Sequence, residues 1–99
     1  MSKGVSVPSK KELTQFKKRS SDWTFNKKET QISKIFAFDD YIKGLIFMAR
    51  ISVHAEVMKH HPDLTLSYGK VKVVLTTHDL KTLSTLDLKL AGKIDSLYG

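Results

Sequence analysis

The spacing of the apolar residues changes at Asp39, and this change limits the architectures that the chain can adopt. Before it, Ile32, Phe36 and Phe38 share one face at the two-residue period of a β-strand, with Lys34 as the polar exception. After it, apolar residues recur at steps of three and four, the period of an amphipathic helix of about five turns. They are Ile42, Leu45, Ile46, Ala49, Val53 and Val57. A strand that leads directly into a long helix, which either Asp39 or Asp40 can cap, predicts a domain of mixed α and β structure.

The residues before this strand predict a short helix and the first strand of a hairpin. The segment "SKKE" at 9–12 is a capping box, in which a serine hydroxyl and a glutamate carboxylate satisfy free backbone N–H groups. The helix that it starts should run to about Arg19. Trp23 and Phe25 then stand two residues apart, as in a strand, and a polar turn at 26–29 joins this strand to the next.

The residues after the long helix predict a second hairpin and a last helix. The long helix has to end near His60, because the residue before Pro62 is forced out of the α conformation. Alternating apolar residues then lie on both sides of a Gly-Lys turn: Leu64, Leu66 and Tyr68 before it, and Val71, Val73 and Leu75 after it. The segment "STLD" at 84–87 offers a second capping arrangement for the final helix.

The order α-β-β-α-β-β-α predicts an α+β fold, a four-stranded antiparallel sheet with helices packed on one face. The length of 99 residues allows one domain, and we expect a flexible N-terminal tail at 1–8 and a single domain at 9–99. The chain has no cysteine, which excludes disulfides and thiolate metal sites. Its apolar stretches are too short for a membrane span, and its beginning lacks the apolar core of a signal peptide. We therefore expect a soluble protein of the cytoplasm, with the nucleus as a second location.

The net charge of +7 is concentrated near the beginning of the chain. Residues 1–34 hold nine Lys or Arg and three acids, whereas the remaining residues hold eight and seven. Such a basic segment can attract nucleic acid, but a solvated helix and a lysine-protected edge strand explain it more simply. No aromatic RNA-binding signature or zinc-finger spacing accompanies the charge. Nucleic acid is therefore not the expected partner.

Three of the four histidines lie at the two outer ends of the predicted second hairpin. His60 and His61 stand in tandem before it, and His78 follows its last strand. If the hairpin closes, these three imidazoles converge. Histidines titrate near pH ~6.5, so a group of them can both donate and accept protons near neutrality. His54, on the predicted helix, is interpreted as a partly buried surface histidine.

Two other interpretations of the histidines stay open from the residues alone. They can be separate surface histidines, since a histidine at a helix C-terminus such as His60 also complements the helix dipole. Together with Asp79 or Glu56 they also resemble a zinc ligand set in composition. Their spacing matches no local metal motif, however, and adjacent residues such as His60 and His61 rarely both bind one ion. Neither a nucleophile elbow nor a glycine-rich phosphate loop occurs in the sequence.

Several segments together resemble the pterin-4a-carbinolamine dehydratase family. They are "AEVMKHHPD", "YGKVKVVLTTHD" and "LSTLDLKLAGKID", which contain the tandem His-His-Pro, the Thr-His-Asp and the Leu-Ser-x-x-Asp of that family in the same order. The resemblance runs from about Trp23 to Asp95. It implies an enzyme that removes water from a 4a-hydroxytetrahydropterin to give a quinonoid dihydropterin, the recycling step after hydroxylation of aromatic amino acids.

The resemblance also implies roles for individual residues. The catalytic residues would be His60, His61 and His78, with His61 and His78 as the acid-base pair and His60 positioning the substrate. Glu56 would support them from one helical turn before His60. The residues expected to bind or wall the pterin are Lys59, Pro62, Thr76, Thr77, Asp79 and Trp23.

The resemblance implies catalysis without a metal or an organic cofactor, and assembly into a homodimer or homotetramer. The alternative function is a non-catalytic adaptor that binds protein or nucleic acid, of the type that stabilises dimers of a transcription factor. Retention of all three histidines favours the dehydratase over the adaptor as the main role.

Overall fold

The computed structural model of the chain describes residues 6–98, which form three helices and four strands. The helices are α1 (Lys10–Arg19), α2 (Tyr41–Met58) and α3 (Thr85–Tyr98). The strands are β1 (Thr24–Phe25), β2 (Ile32–Ala37), β3 (Asp63–Ser67) and β4 (Lys70–Leu75), and a short 3-10 turn at His78–Leu80 follows β4. The predicted order α-β-β-α-β-β-α is confirmed.

The predicted tail at 1–8 lies mostly outside the described residues. Of its described part, the Ser6 carbonyl accepts a hydrogen bond of 2.9 Å from the Thr85 N–H, and Pro8 is buried. The flexible tail and the domain boundary at residue 9 stay predictions. Within residues 6–98, no helix is both long and apolar enough to cross a membrane.

The four strands form one antiparallel sheet in the order β1-β2-β4-β3. Ile32 pairs with Leu75 and Phe36 pairs with Val71, so the apolar residues of neighbouring strands share one face. These four side chains are buried in the same cluster as residues from all three helices, which are Phe16, Phe47, Ile51, Leu90 and Ile94. The sheet therefore carries its helices on one face, as the sequence predicts.

The ends of α2 depend on two local interactions. At its start, Asp40 is the N-cap, and its carboxylate accepts a hydrogen bond of 2.8 Å from the Lys43 N–H. This decides between the two aspartates that the sequence left open. At its end, the helix stops at Met58 and Lys59 adopts a left-handed conformation, three residues before Pro62. The prediction that the helix ends near His60 is confirmed.

The prediction of which side of α2 is buried is wrong. The six apolar residues of that prediction, Ile42, Leu45, Ile46, Ala49, Val53 and Val57, all lie on the exposed side of the helix. Val53 and Val57 are 63% and 78% exposed. The buried side consists of Gly44, Phe47, Ile51 and Ala55. Because α2 has apolar residues on nearly all its sides, spacing alone does not determine which side meets the sheet.

Gly44 shows why α2 packs with this orientation. A Cβ atom at Gly44 would lie 2.9 Å from Leu66 Cδ1 and 3.3 Å from Val71 Cγ2. The helix therefore approaches β3 and β4 most closely where it has no side chain. The exposed apolar side is left free for another contact.

The polar exception in β2, Lys34, belongs to a network that joins the first hairpin to α3. Its side chain is only 17% exposed, and its Nζ lies 2.7 Å from Asp95 Oδ1. The Trp23 indole N–H donates to the other oxygen of Asp95, at 3.0 Å. One carboxylate thus pairs with two partly buried donors that come from distant parts of the sequence.

We predict that Asp95→Ala lowers the free energy of unfolding by about 2 kcal/mol, because it leaves the Lys34 ammonium and the Trp23 N–H without this acceptor. The measurement is urea unfolding followed by circular dichroism. Asp39→Ala is the matched control. It breaks the exposed Asp39–Lys43 pair, whose side chains are 89% and 59% exposed, and should cost less than about 0.5 kcal/mol. Equal losses in the two variants would contradict the structural role of Asp95.

Candidate active site

A left-handed turn at the end of α2 sends the tandem histidines in different directions. Lys59 has φ 53° and ψ 40°, and the His60 N–H donates to the Ala55 carbonyl at 3.0 Å, as in a Schellman motif. The chain therefore reverses between Lys59 and His60. As a result the His60 side chain is buried, whereas His61 is exposed.

His78 comes from the opposite side, in the 3-10 turn after β4. The Leu80 N–H donates to the Thr77 carbonyl at 3.1 Å, and the Lys81 N–H donates to the His78 carbonyl at 3.1 Å. The Thr77 N–H bonds to the Thr82 carbonyl at 3.0 Å, which closes the loop behind the turn. Because this loop is held by its own backbone, His78 keeps a defined position at the end of the strand.

The three histidines line one cavity of about 210 Å³. Its lining is Lys59, His60, His61, Thr76, Thr77, His78 and Asp79. All seven residues belong to the set that the sequence singled out, four of them after β4 and three after α2. The closed second hairpin therefore brings the end of α2 and the end of β4 together.

Two carboxylates hold two of these imidazoles. The His61 Nε2 lies 2.7 Å from Glu56 Oε1, and both side chains are exposed. The His60 Nε2 is hydrogen-bonded to Asp87 Oδ1, and both side chains are buried. The structure thus places Glu56 against His61, although the sequence had located it by its distance from His60.

Asp87 contacts the candidate site, and the sequence analysis gave it no role there. Its side chain is fully buried, and its Oδ2 accepts hydrogen bonds from the Thr77 hydroxyl at 2.7 Å and the Ser84 N–H at 2.8 Å. The Ser84 hydroxyl lies 2.7 Å from the Thr77 hydroxyl. The sequence showed Asp87 as part of the capping segment at 84–87 and as the aspartate of the Leu-Ser-x-x-Asp motif, and the bond from Ser84 confirms the capping. Nothing in that pattern indicated that the same carboxylate also binds a histidine.

Trp23 is not brought to this cavity. Its indole is buried against Phe36, with ring centroids 6.1 Å apart, and bonds to Asp95. Pro62 follows the tandem histidines without lining the cavity. The Thr76 hydroxyl donates its hydrogen bond to the Thr30 carbonyl at 2.7 Å, so its proton is not directed to the cavity.

The arrangement offers groups that can transfer protons. Among residues 6–98, no group of three or more His, Asp or Glu side chains is arranged to hold a metal ion. A larger groove, of about 610 Å³, lies at the side of α2 and is lined by Phe38, Phe47 and Tyr98 among others. It contains no histidine, so the smaller cavity is the one with groups able to exchange protons near neutral pH.

Comparison with known proteins identifies the family of the chain. Residues 6–97 match the family model described as pterin 4 alpha carbinolamine dehydratase. A protein of Ruegeria pomeroyi is 46% identical over 78 residues, which are 79% of this chain and 80% of that protein. A protein of Prochlorococcus marinus is 39% identical over 93 residues, which are 94% of this chain and 96% of that protein. Both carry the name pterin-4-alpha-carbinolamine dehydratase as a provisional assignment.

Solved structures show the same fold. A Brucella melitensis protein described as a transcriptional coactivator/pterin dehydratase superposes with a TM-score of 0.86 at 28% identity, over 95% of this chain and 100% of that chain. A pterin dehydratase-like protein, identified as a RuBisCO assembly factor in the alpha-carboxysome, superposes with a TM-score of 0.67 at 23% identity. The latter covers 79% of this chain and 90% of that chain, and at this identity it bears on the fold alone. With the family model matched over nearly the whole length and relatives well above 30% identity, the chain belongs to the pterin 4 alpha carbinolamine dehydratase family.

Proposed function

We propose that the protein is a 4a-hydroxytetrahydropterin dehydratase, a lyase that converts this carbinolamine to quinonoid dihydropterin and water in pterin recycling. The observation that carries the proposal is the convergence of His60, His61 and His78 on one cavity from two elements. Family membership supports the same chemistry. We place the activity in the cytoplasm, with the nucleus as a second location.

Loss of water from the carbinolamine needs two proton movements. A proton must reach the departing 4a-hydroxyl, and a proton must leave a ring nitrogen. Imidazoles can do both near neutral pH without a metal or an organic cofactor. His61 and His78 are the proposed acid-base pair, because they line the same cavity from separate elements. His60 positions the substrate, and its attachment to Asp87 supports that role.

The rest of the lining is the proposed binding surface for the pterin ring. Lys59, Thr76, Thr77 and Asp79 stand around the histidines. A cavity of about 210 Å³ is smaller than the roughly 300 Å³ at which small-molecule pockets usually begin, so it suits the reacting ring, with the substituent outside. Pro62 contributes by fixing the turn after the histidines. Trp23 stays outside the binding surface in this proposal, because its indole is committed to Asp95.

An adaptor function is the second candidate, and one observation favours it. The Brucella relative is described both as a transcriptional coactivator and as a pterin dehydratase. The exposed apolar side of α2 offers a surface on which a transcription factor or another protein could dock.

A stable dihydropterin, as an analogue of the product, separates the two functions. Because a ligand that binds only the folded state stabilises it, we expect the analogue to raise the unfolding temperature of the protein in a concentration-dependent way. Differential scanning fluorimetry measures this shift. No shift, together with salt-sensitive binding of DNA or RNA, would favour the adaptor.

The first catalytic prediction concerns single histidines. General acid-base assistance is typically worth about 10²- to 10⁴-fold, and neighbouring imidazoles can replace part of it. We therefore expect His61→Ala and His78→Ala each to lower turnover of the carbinolamine at least about tenfold. Spectroscopic decay of the carbinolamine is the assay.

His54→Ala is the matched control, because His54 lies on α2 and is not among the residues that line the cavity. All three variants should fold, as judged by circular dichroism. Exhaustive chelation of the parent should leave its activity unchanged. Equal activity of His78→Ala and His54→Ala would contradict the dehydratase assignment. Activity that is lost on chelation and restored by zinc would instead indicate that the histidines bind a metal ion.

We also propose that the protein is a homodimer or homotetramer. The support is the exposed side of α2, where Ile42, Ile46, Ala49 and Val53 follow the four-three-four spacing of a helix-packing seam. Isolated surface residues of this kind are common, but a continuous apolar stripe on one helix indicates a contact surface. A second copy of α2 presents the complementary stripe.

We expect Val53→Asp to reduce the assembly to a smaller one, because a charge in a packed apolar seam has no partner. Light scattering gives the mass, relative to 11.2 kDa for one chain. Ile35→Asp is the matched variant, since Ile35 is 58% exposed but lies on the open face of the sheet. It should keep the parent's mass. A parent that is monomeric at micromolar concentration contradicts the proposal. If only Ile35→Asp dissociates the assembly, the interface lies on the open face of the sheet and not on α2.

A further inference from the structure

The carboxylate of Asp87 has the partners needed to control the proton arrangement of His60. It is fully buried and is hydrogen-bonded to groups from three elements. Thr77 after β4 and Ser84 before α3 bond to its Oδ2, and His60 after α2 bonds to its Oδ1. Every described side-chain polar atom that is buried has a hydrogen-bond partner, so the network is complete within residues 6–98.

The partners at Oδ2 fix the direction of the hydrogen bond at Oδ1. A backbone N–H such as that of Ser84 can only donate, and the Thr77 hydroxyl donates to the same oxygen. Oδ2 is therefore an acceptor, and a proton between Asp87 and His60 has to lie on the Oδ1 side. An imidazole nitrogen is a stronger base than a carboxylate oxygen, so this proton belongs to His60 Nε2. His60 thus donates through Nε2.

We propose that Asp87 is a positioning residue that holds His60 in its Nε2–H tautomer and leaves Nδ1 as the nitrogen that exchanges a proton or a hydrogen bond with the substrate. The inference rests on the proposed dehydratase function for its catalytic part. His60 then presents one defined nitrogen. The exposed Glu56–His61 pair lacks this control, because water competes for its hydrogen bond.

The same network links both sides of the cavity. Thr77 precedes His78 in the sequence, and its hydroxyl bonds to the carboxylate that holds His60. The relative position of His60 and the loop that carries His78 therefore depends on Asp87. A change in this carboxylate should affect turnover more than the affinity for substrate, because it alters the proton arrangement and not the shape of the lining.

The test is Asp87→Asn, which has the same shape. The amide oxygen can keep the hydrogen bonds from Thr77 and Ser84, so the amide NH₂ then faces His60 Nε2 as a donor. His60 has to accept there, and its proton moves to Nδ1. We expect ring nitrogen chemical shifts to report Nε2–H in the parent and Nδ1–H in Asp87→Asn, at a pH well above the usual histidine titration near ~6.5. The His60 signals are identified by their loss in His60→Gln.

Kinetics supply the second measurement. Asp87→Asn should lower kcat at least about 100-fold while KM stays within about threefold. Asp39→Asn is the matched control, since Asp39 is exposed at the start of α2 and pairs only with Lys43 among the described residues. It should keep the parent's kcat. Circular dichroism and the unfolding temperature establish that both variants are folded.

Each outcome decides the inference. Nδ1–H in the parent overturns it even if Asp87→Asn does not fold. An Nε2–H tautomer that persists in Asp87→Asn, or a kcat within about twofold of the parent, also overturns it. A parent with no dehydratase turnover would instead remove the proposed function, and the ring shifts would still decide whether Asp87 sets the tautomer. The two failures are therefore distinguishable.

Discussion

A carboxylate is tolerated in a protein interior only when its oxygens are hydrogen-bonded, and the candidate site is organised around one that meets this condition. Asp87, in the first turn of α3, bonds to His60 just after α2, to Thr77 just after β4 and to Ser84 just before α3. If any one of these elements moved away, a buried polar group would lose its partner. The three elements therefore hold one another in place. The two sides of the cavity that carry histidines are fixed by the same side chain.

The sheet could be predicted from the sequence because its two faces have different surroundings. One face meets the helices and the other meets solvent, so buried apolar residues recur at every second position, at Val71, Val73 and Leu75 of β4 and, with Lys34 as the exception, at Ile32 and Phe36 of β2. The buried side of α2, in contrast, could not be predicted from the sequence. Phe47 and Ile51 on one side are as apolar as Ile46 and Val53 on the other. Only the close approach of Gly44 to β3 and β4, which spacing does not show, determines the buried side.

Some residues of the candidate site could likewise be predicted from the sequence, and others could not. His60 and His61 could be placed near His78 because a proline ends the helix and a hairpin returns the chain, both of which are local signals. The contact of Asp87 with His60 could not be predicted, because neither the capping pattern nor the Leu-Ser-x-x-Asp motif shows that the carboxylate that caps α3 also binds a histidine. Likewise, Trp23 was expected at the site, but its partner Asp95 lies 72 residues away in the sequence. No local pattern reports such a distance.

The α2 helix leads into the candidate site and also carries the proposed assembly surface, and different residues form the two. Its inner side packs in the core, its end carries His60, and its outer side exposes the apolar stripe around Val53. Five residues separate Val53 from Met58, where α2 ends, which is roughly 8 Å along the helix axis. The residues of the stripe are therefore different from those that line the cavity, and a partner on the stripe restrains the helix that leads into one wall. A dehydratase and a docking protein are thus compatible on this fold, because one helix offers each of them a separate surface.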